Sequence, residues 1–330
     1  MTGPPTLVLA RADIARSMTL PDYVVAVERA FRDLAAGRML VPAVVHIPGR
    51  GGTFHVKSAG VLGDPRYVAV KVNGNFPDNA RSMGLPTIHG AIVLCDGHDG
   101  ALLAVMDSIE VTAMRTGAAT AVAAKYLAPP GVSVASVIGC GVQGRVQLLS
   151  LIEVLPLETV YAFDLDRQRR NAFVERMRAE TGLDVLPVDD LRHATRESRV
   201  IVTCTSSRSA FLSRELVAPG TFVAAVGADN GDKQELETHL MARSKVIVDI
   251  LDQCAEIGEL HHAIEAGAMT RADVVASLAD VVAGTVCPCF DPEDVIVFDS
   301  TGSAIQDVAA AGIIYERVKA AGLGIPVEFA

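Results

Sequence analysis

Two kinds of hydrophobic patterning alternate along most of the chain. Short runs of Val, Ile, Ala and Leu, with little polar interruption, occur at 132–138, 159–163, 184–188, 199–205, 221–227, 245–250 and 295–302. Longer stretches with apolar residues every three to four positions lie at 145–155, 166–180, 254–266 and 303–321. The first kind predicts strands buried on both faces, the second helices with one apolar stripe. Their alternation predicts a parallel sheet with helices packed on it. The first third of the chain differs. A strand at 6–10 precedes an amphipathic helix with Pro21 near its start and Tyr23, Val27 and Phe31 on one face. The runs VVHI, TFHVKSAG, YVAVKVN and AIVLCD, divided by glycine turns, predict strands of a separate α+β module. A helix rich in small residues is expected at 108–125, and Pro129-Pro130 marks a boundary.

The 132–138 strand runs into Gly139, Gly141 and Gly144, which make G-x-G-x-x-G ahead of the 145–155 helix. In this strand–turn–helix setting the first Gly makes a tight turn. The second lets backbone approach a pyrophosphate, and the third lets helix and strand pack closely. The helix N-terminus faces the phosphate charge. The next strand ends at Asp164, 25 residues past Gly139, where a carboxylate can bind a ribose hydroxyl and repel a 2′-phosphate. The pattern predicts a Rossmann dinucleotide-binding domain and favours NAD over NADP, although Arg167 and Arg169 are placed to meet a 2′-phosphate. A glycine-rich turn without a ligand is the alternative.

Composition narrows the partners. The 330 residues allow two domains. A net charge of −10 without basic runs argues against nucleic acid. No signal-peptide pattern and no membrane-length apolar run is present, so a cytoplasmic protein is expected. The six cysteines are scattered, and Cys287-Pro-Cys289 has no second ligand pair near it, so neither disulfides nor a metal is expected.

Several polar residues stand in apolar settings. Asp229, two residues past a strand, can exchange a proton with a substrate nitrogen or water, or can simply cap its turn. Lys71 within VAVKV needs an anion, which a substrate carboxylate or a structural acid would supply. Arg115 suits a carboxylate or phosphate, or a solvated helix face. His55 and Lys57 share one face of FHVKS and add positive charge to the same place, unless that strand edge faces solvent. His261-His262 with Glu256 and Glu259 reads as a solvated helix surface, because Glu256 and His261 fall on different helix faces.

The segments VAVKVNGNFPDN, GLPTIHG, AMRTGAATAVAAKYL, VIGCGVQG, GADNGDKQEL and VFDSTGSAIQD together resemble the ornithine cyclodeaminase/μ-crystallin family over nearly the whole chain. The resemblance implies an α/β fold, with a Rossmann NAD-binding domain over 118–305. An α+β substrate-binding and dimerisation domain covers 1–117 and 306–330, in a homodimer. By position, Asp229 matches the catalytic aspartate. Lys71, counted with it as catalytic, and Arg115 match the residues that hold the substrate α-carboxylate. Thr87, Arg115, Gly139, Gly141, Val142, Gln143, Gly144, Asp164, Ser206, Gly227, Lys233 and Ser300 fall in cofactor-contacting segments. Cyclodeaminases carry a Glu where this chain has His55 and a Met where it has Lys57. The family's early carboxylate-binding Arg corresponds to Val44. Losing an acid and gaining a cation argues against ornithine. It favours NADH-dependent reduction of a small imino acid, a dicarboxylic one such as iminosuccinate included. The alternatives are a cyclodeaminase that does not consume NAD and a μ-crystallin-like NAD(P)H-binding protein.

Overall fold

The computed structural model describes residues 5–286 and 291–329, with only the backbone at Ala80 and Arg81. Cys287 and Cys289 therefore lie outside the described residues. The chain divides into two compact units, Met1–Arg115 with Ser303–Ala330, and Thr116–Gly302.

In the first unit the elements are β1 (Thr6–Leu9), α1 (Arg11–Ser17), α2 (Leu20–Ala35), β2 (Met39–Gly49), β3 (Gly52–Val61), β4 (Tyr67–Asn75), α3 (Asn79–Ser82), β5 (Ile88–Asp96), β6 (Leu102–Asp107) and the start of α4 (Ser108–Leu127). Helix α2 begins where the Asp22 carboxylate accepts from Thr19 N, and it buries Tyr23, Val27 and Phe31 as the spacing predicts. The strands pair antiparallel in the order β6-β5-β4-β3-β2, and β1 joins β6 in parallel. Register follows the period of two. His55, Lys57 and Ala59 of β3 are buried on one face, as are Tyr67, Ala69, Lys71 and Asn73 of β4.

The second unit holds β7 (Val134–Ile138), α5 (Val142–Ile152), β8 (Thr159–Phe163), α6 (Arg167–Thr181), β9 (Asp184–Pro187), α7 (Leu191–Glu197), β10 (Val200–Thr203), β11 (Arg208–Leu212), β12 (Phe222–Ala225), β13 (Gln234–Leu236), α8 (Thr238–Ala242), β14 (Lys245–Val248), α9 (Leu251–Ile257), α10 (Glu259–Glu265), β15 (Ala276–Ser277), α11 (Leu278–Ala283) and β16 (Ile296–Asp299). Eight of these strands form one parallel sheet, ordered β15-β14-β16-β12-β10-β7-β8-β9. Strand order reverses at β7, from which the chain builds outward through β8 and β9 before returning to β10. Ligands of open parallel sheets bind beyond the carboxyl ends of the strands at such a switch point. The central strands β10 and β12 are buried at every residue, which is why they read as unbroken apolar runs.

The chain then returns to the first unit as α12 (Ala304–Ala320) and β17 (Ile325–Val327). Helix α12, capped where Ser303 Oγ accepts from Ile305 N, packs on β3, β4 and β5. Gly312 lets it approach closely, since a Cβ there would lie 2.7 Å from the Tyr67 ring.

Two expectations need correction. The 254–266 segment is not one helix but α9 and α10, broken at Gly258. A Cβ on Gly258 would lie 2.6 Å from an Asp299 carboxylate oxygen, and that carboxylate accepts from Glu259 N and Leu260 N at the start of α10. The polar stretch after β10 also contains a strand, β11, paired in parallel with β13. Both are too short and too polar to show a period.

Candidate active site

Gly139 takes φ +106° between β7 and α5, a conformation glycine adopts without strain. A Cβ on Gly144 would lie 2.1 Å from Gly139 O, so helix and strand meet there only because residue 144 is glycine. A Cβ on Gly141 would meet nothing within 4 Å, so backbone lies open to a ligand at the N-terminus of α5. Val142 beside it is 68% exposed, and Gln143 Oε1 accepts from Gln147 Nε2. These features fit a dinucleotide pyrophosphate. The Asp164 carboxylate accepts from Cys140 N at 2.9 Å and from Asp166 N at 2.9 Å, which ties the end of β8 to the glycine turn. Arg169 lies 3.8 Å from it.

Buried carboxylates hold the other loops at this sheet edge. Asp249, after β14, accepts from Gly302 N and Thr301 Oγ1, and Asp299 at the end of β16 caps α10. Glu259 accepts from Glu235 N and Leu236 N, and Glu235 accepts from Thr205 N, Thr205 Oγ1 and Gly227 N. Burial pushes Glu235 and Glu259 above the usual carboxylate range and Asp299 up to about 7. Glu259 is thus 1% exposed and structural, not part of a solvated surface. Sequence reading missed this role because the break at Gly258 changes which residues share a face. Among the described residues His261, His262 and Glu265 bring donor atoms within 4.8 Å of one another, a trio other than the one read from sequence, and His262 Nε2 lies 2.8 Å from Lys233 O.

Asp229 lies in the loop after β12, with Lys233 Nζ donating to its Oδ1 at 2.6 Å. Lys233, expected on the cofactor, is here the partner of the candidate catalytic acid. Ser206 is exposed in the loop after β10, while Ser300, after β16, is 2% exposed with its Oγ unpaired among the described residues.

The cationic residues assemble in the first unit. Lys71 Nζ donates to Asp307 Oδ2 at 2.6 Å, and Arg115 Nε to Asp307 Oδ1 at 3.0 Å. Arg115 Nη1 donates to Gln306 Oε1 at 2.9 Å. All of these side chains are buried, with Lys71 at 2%, Arg115 at 4% and Asp307 at 1% exposure, which excludes a solvated helix face for Arg115. Lys57 and His55 are buried on the same sheet face, so this part of β3 is no solvent edge. Register sets Lys57 directly opposite Lys71 on one side and Val44 on the other. Thr87 also lies in this unit, with its carbonyl accepting from Phe76 N. Asp307 and Gln306 were not singled out from the sequence. The signal was there: a Gln-Asp pair in a stretch, 304–314, otherwise made of Ala, Val, Ile and Gly. The partner of that acid lies 236 residues away in sequence and is not readable from spacing.

A sequence model of the ornithine cyclodeaminase/mu-crystallin family matches residues 5–322, and the chain belongs to that family. It is 35% identical over 324 residues to an alanine dehydrogenase of Archaeoglobus fulgidus, covering 98% of each chain. It is 34% identical over 323 residues to the iminosuccinate reductase of Paracoccus denitrificans, covering 98% of this chain and 99% of the other. Among solved structures, an archaeal alanine dehydrogenase dimer with bound NAD superposes with a TM-score of 0.94 at 34% identity, covering 98% and 99% of the two chains. The Thermococcus litoralis Δ1-pyrroline-2-carboxylate reductase, solved with NADH and L-proline, gives 0.94 at 31% identity over 98% and 100%.

Proposed function

We propose that the chain is a cytoplasmic, homodimeric NADH-dependent reductase of a small imino acid, or run in reverse an amino-acid dehydrogenase. The observation that carries the reading is the buried Lys71–Asp307–Arg115 group, in which two cations share one carboxylate and hold positive charge for an incoming acid. The neighbours with bound NAD or NADH support the cofactor. When bound, NADH supplies the two electrons and one hydrogen of the reduction. The first unit binds the substrate carboxylate through Lys71 and Arg115, with the Arg115 fork held in place by Asp307 and Gln306. Asp229, which accepts from Lys233 Nζ, stabilises a protonated imine nitrogen. A proton at that nitrogen makes the carbon a better electron acceptor.

Lys57 supports two readings of the substrate. In the first it holds a second carboxylate, as in iminosuccinate, with His55 beside it. The strand register favours a second. Lys57 stands directly across from Val44, the position of the family's early Arg, so the cation has moved one strand over and serves the same single carboxylate.

The test is NADH oxidation at 340 nm with oxaloacetate, pyruvate or glyoxylate plus ammonia or methylamine, and with cyclic ketimines. A Lys57→Met variant goes beside the wild type. Under the first reading Lys57→Met raises KM about tenfold or more for the oxaloacetate imine alone. Under the second it raises KM for every imino acid. Asp229→Asn is expected to keep NADH affinity and lose at least a hundredfold in kcat, the usual scale of a positioned acid–base group. Release of ammonia from ornithine or lysine without NADH consumption would overturn the reductase reading in favour of a cyclodeaminase. NADH binding with no turnover on any substrate would leave a binding protein.

A further inference from the structure

Glu235 belongs to no site assigned above, yet three donors converge on it. Its Oε1 accepts from Thr205 N at 2.6 Å and Thr205 Oγ1 at 2.7 Å, and its Oε2 accepts from Gly227 N at 2.8 Å. Thr205 follows β10 and Gly227 follows β12, and these strands are neighbours in the parallel sheet. One fully buried carboxylate thus ties two successive loops at the carboxyl edge, beside the switch point where an open parallel sheet binds its ligand. The contact is built tightly. A Cβ on Gly227 would lie 2.3 Å from Glu235 Cδ, so only glycine brings that amide within reach. The strand that carries Glu235 is anchored in turn by Glu259, which accepts from Glu235 N at 2.7 Å.

We propose that Glu235 is a positioning residue for the dinucleotide site, fixing the spacing of the loops that carry Ser206 and Asp229 so that the crevice is formed before the cofactor arrives. The inference rests on the dinucleotide part of the proposed function and not on the imine. A carboxylate suits the task because it accepts on both oxygens. An amide accepts on one and would set its own N–H against that of Gly227, leaving a buried donor without an acceptor.

The experiment measures NADH affinity by the rise in nicotinamide fluorescence on binding, together with the thermal midpoint, for the wild type, Glu235→Gln and Thr205→Val. Glu235→Gln is expected to raise the NADH Kd about tenfold, the scale of one unpaired buried donor. Thr205→Val, which removes one of the three donors and leaves the carboxylate in place, is expected to raise it by a smaller factor. In steady-state kinetics KM for NADH rises while KM for the imino acid stays within twofold. A role confined to stability would lower the thermal midpoint and leave Kd unchanged. An NADH Kd within twofold of wild type in both variants overturns the proposal, and Thr205→Val alone decides if Glu235→Gln does not fold. A wild-type protein that binds no NADH removes both this inference and the proposed function. Wild-type binding without imine turnover removes only the latter.

Discussion

Lys71 has its Nζ 2.6 Å from the Asp307 carboxylate and is 2% exposed, so its charge depends on neighbours more than on solvent. Burial pushes its pKa down and Arg115 adds to this. Asp307 pulls the other way and Lys57 pushes down again, leaving it at about 7. Burial would raise Asp307, but Lys71, Arg115 and Lys57 outweigh it and hold that carboxyl below its ordinary value. A bound carboxylate favours the ammonium form of Lys71. Below pH 7 that proton is already present, and above it the proton must be taken up on binding. The Kd of an unreactive acid such as succinate, measured by calorimetry on the NADH complex, is therefore expected to be flat below pH 7. Above pH 7 it should rise up to tenfold per pH unit. A flat Kd to pH 9 would show that Lys71 keeps its charge. At this scale a lysine out of place in an apolar strand was legible, and two kinds of anion were open to it. The structure supplies the structural acid, Asp307, which leaves the shared positive charge for the substrate.

At the scale of elements, the β7–Gly-rich turn–α5 unit was legible because apolar run, glycine spacing and helical stripe follow one another without a gap over 132–155. Its three glycines have different jobs, and substitution separates two of them. Gly144→Ala puts a methyl 2.1 Å from Gly139 O and is expected to cost about 1–3 kcal/mol of stability as well as NADH binding. Gly141→Ala puts a methyl into open space and is expected to leave the thermal midpoint nearly unchanged while weakening NADH at least tenfold. Melting curves and NADH titrations of the two variants check this. Equal losses of stability would show that Gly141 is needed for packing instead. The α9–α10 break was not legible. Glycine within a helical pattern reads as tolerated, and only the Asp299 carboxylate packed against Gly258 turns it into a corner.

For the whole molecule, the first unit carries an apolar sheet face opposite α12. Val45, Val56 and Val72 sit in one row across β2, β3 and β4, with Val45 54% and Val72 41% exposed. Ile47, opposite Phe54, and Leu40, opposite Gly60, extend this face along β2, which ends the sheet. A bare apolar edge of this kind is a liability in a monomer and an interface in a dimer. Light scattering is expected to give twice the 34.7 kDa chain mass, and Val45→Glu to shift it to that of one chain. A wild-type monomer would place the subunit contact out of the proposal altogether. Among the described residues no helix is long and apolar enough to cross a membrane.

The local chain by itself determined the alternating elements, the dinucleotide turn and the cations at Lys57, Lys71 and Arg115. These are set by periodicity, by glycine's freedom and by charges that apolar neighbours cannot satisfy. Tertiary structure alone decided which charges meet. Asp307 joins Lys71 and Arg115 only because the chain comes back to the first unit as α12 after the whole second unit has been built. The Glu235, Glu259, Asp299 and Asp249 carboxylates accept from the backbone amides of Thr205, Glu235, Leu260 and Gly302, which lie 30, 24, 39 and 53 residues away in sequence. Desolvation makes such groups costly wherever they are buried, so their partners must be supplied by the fold, and sequence spacing carries no record of them.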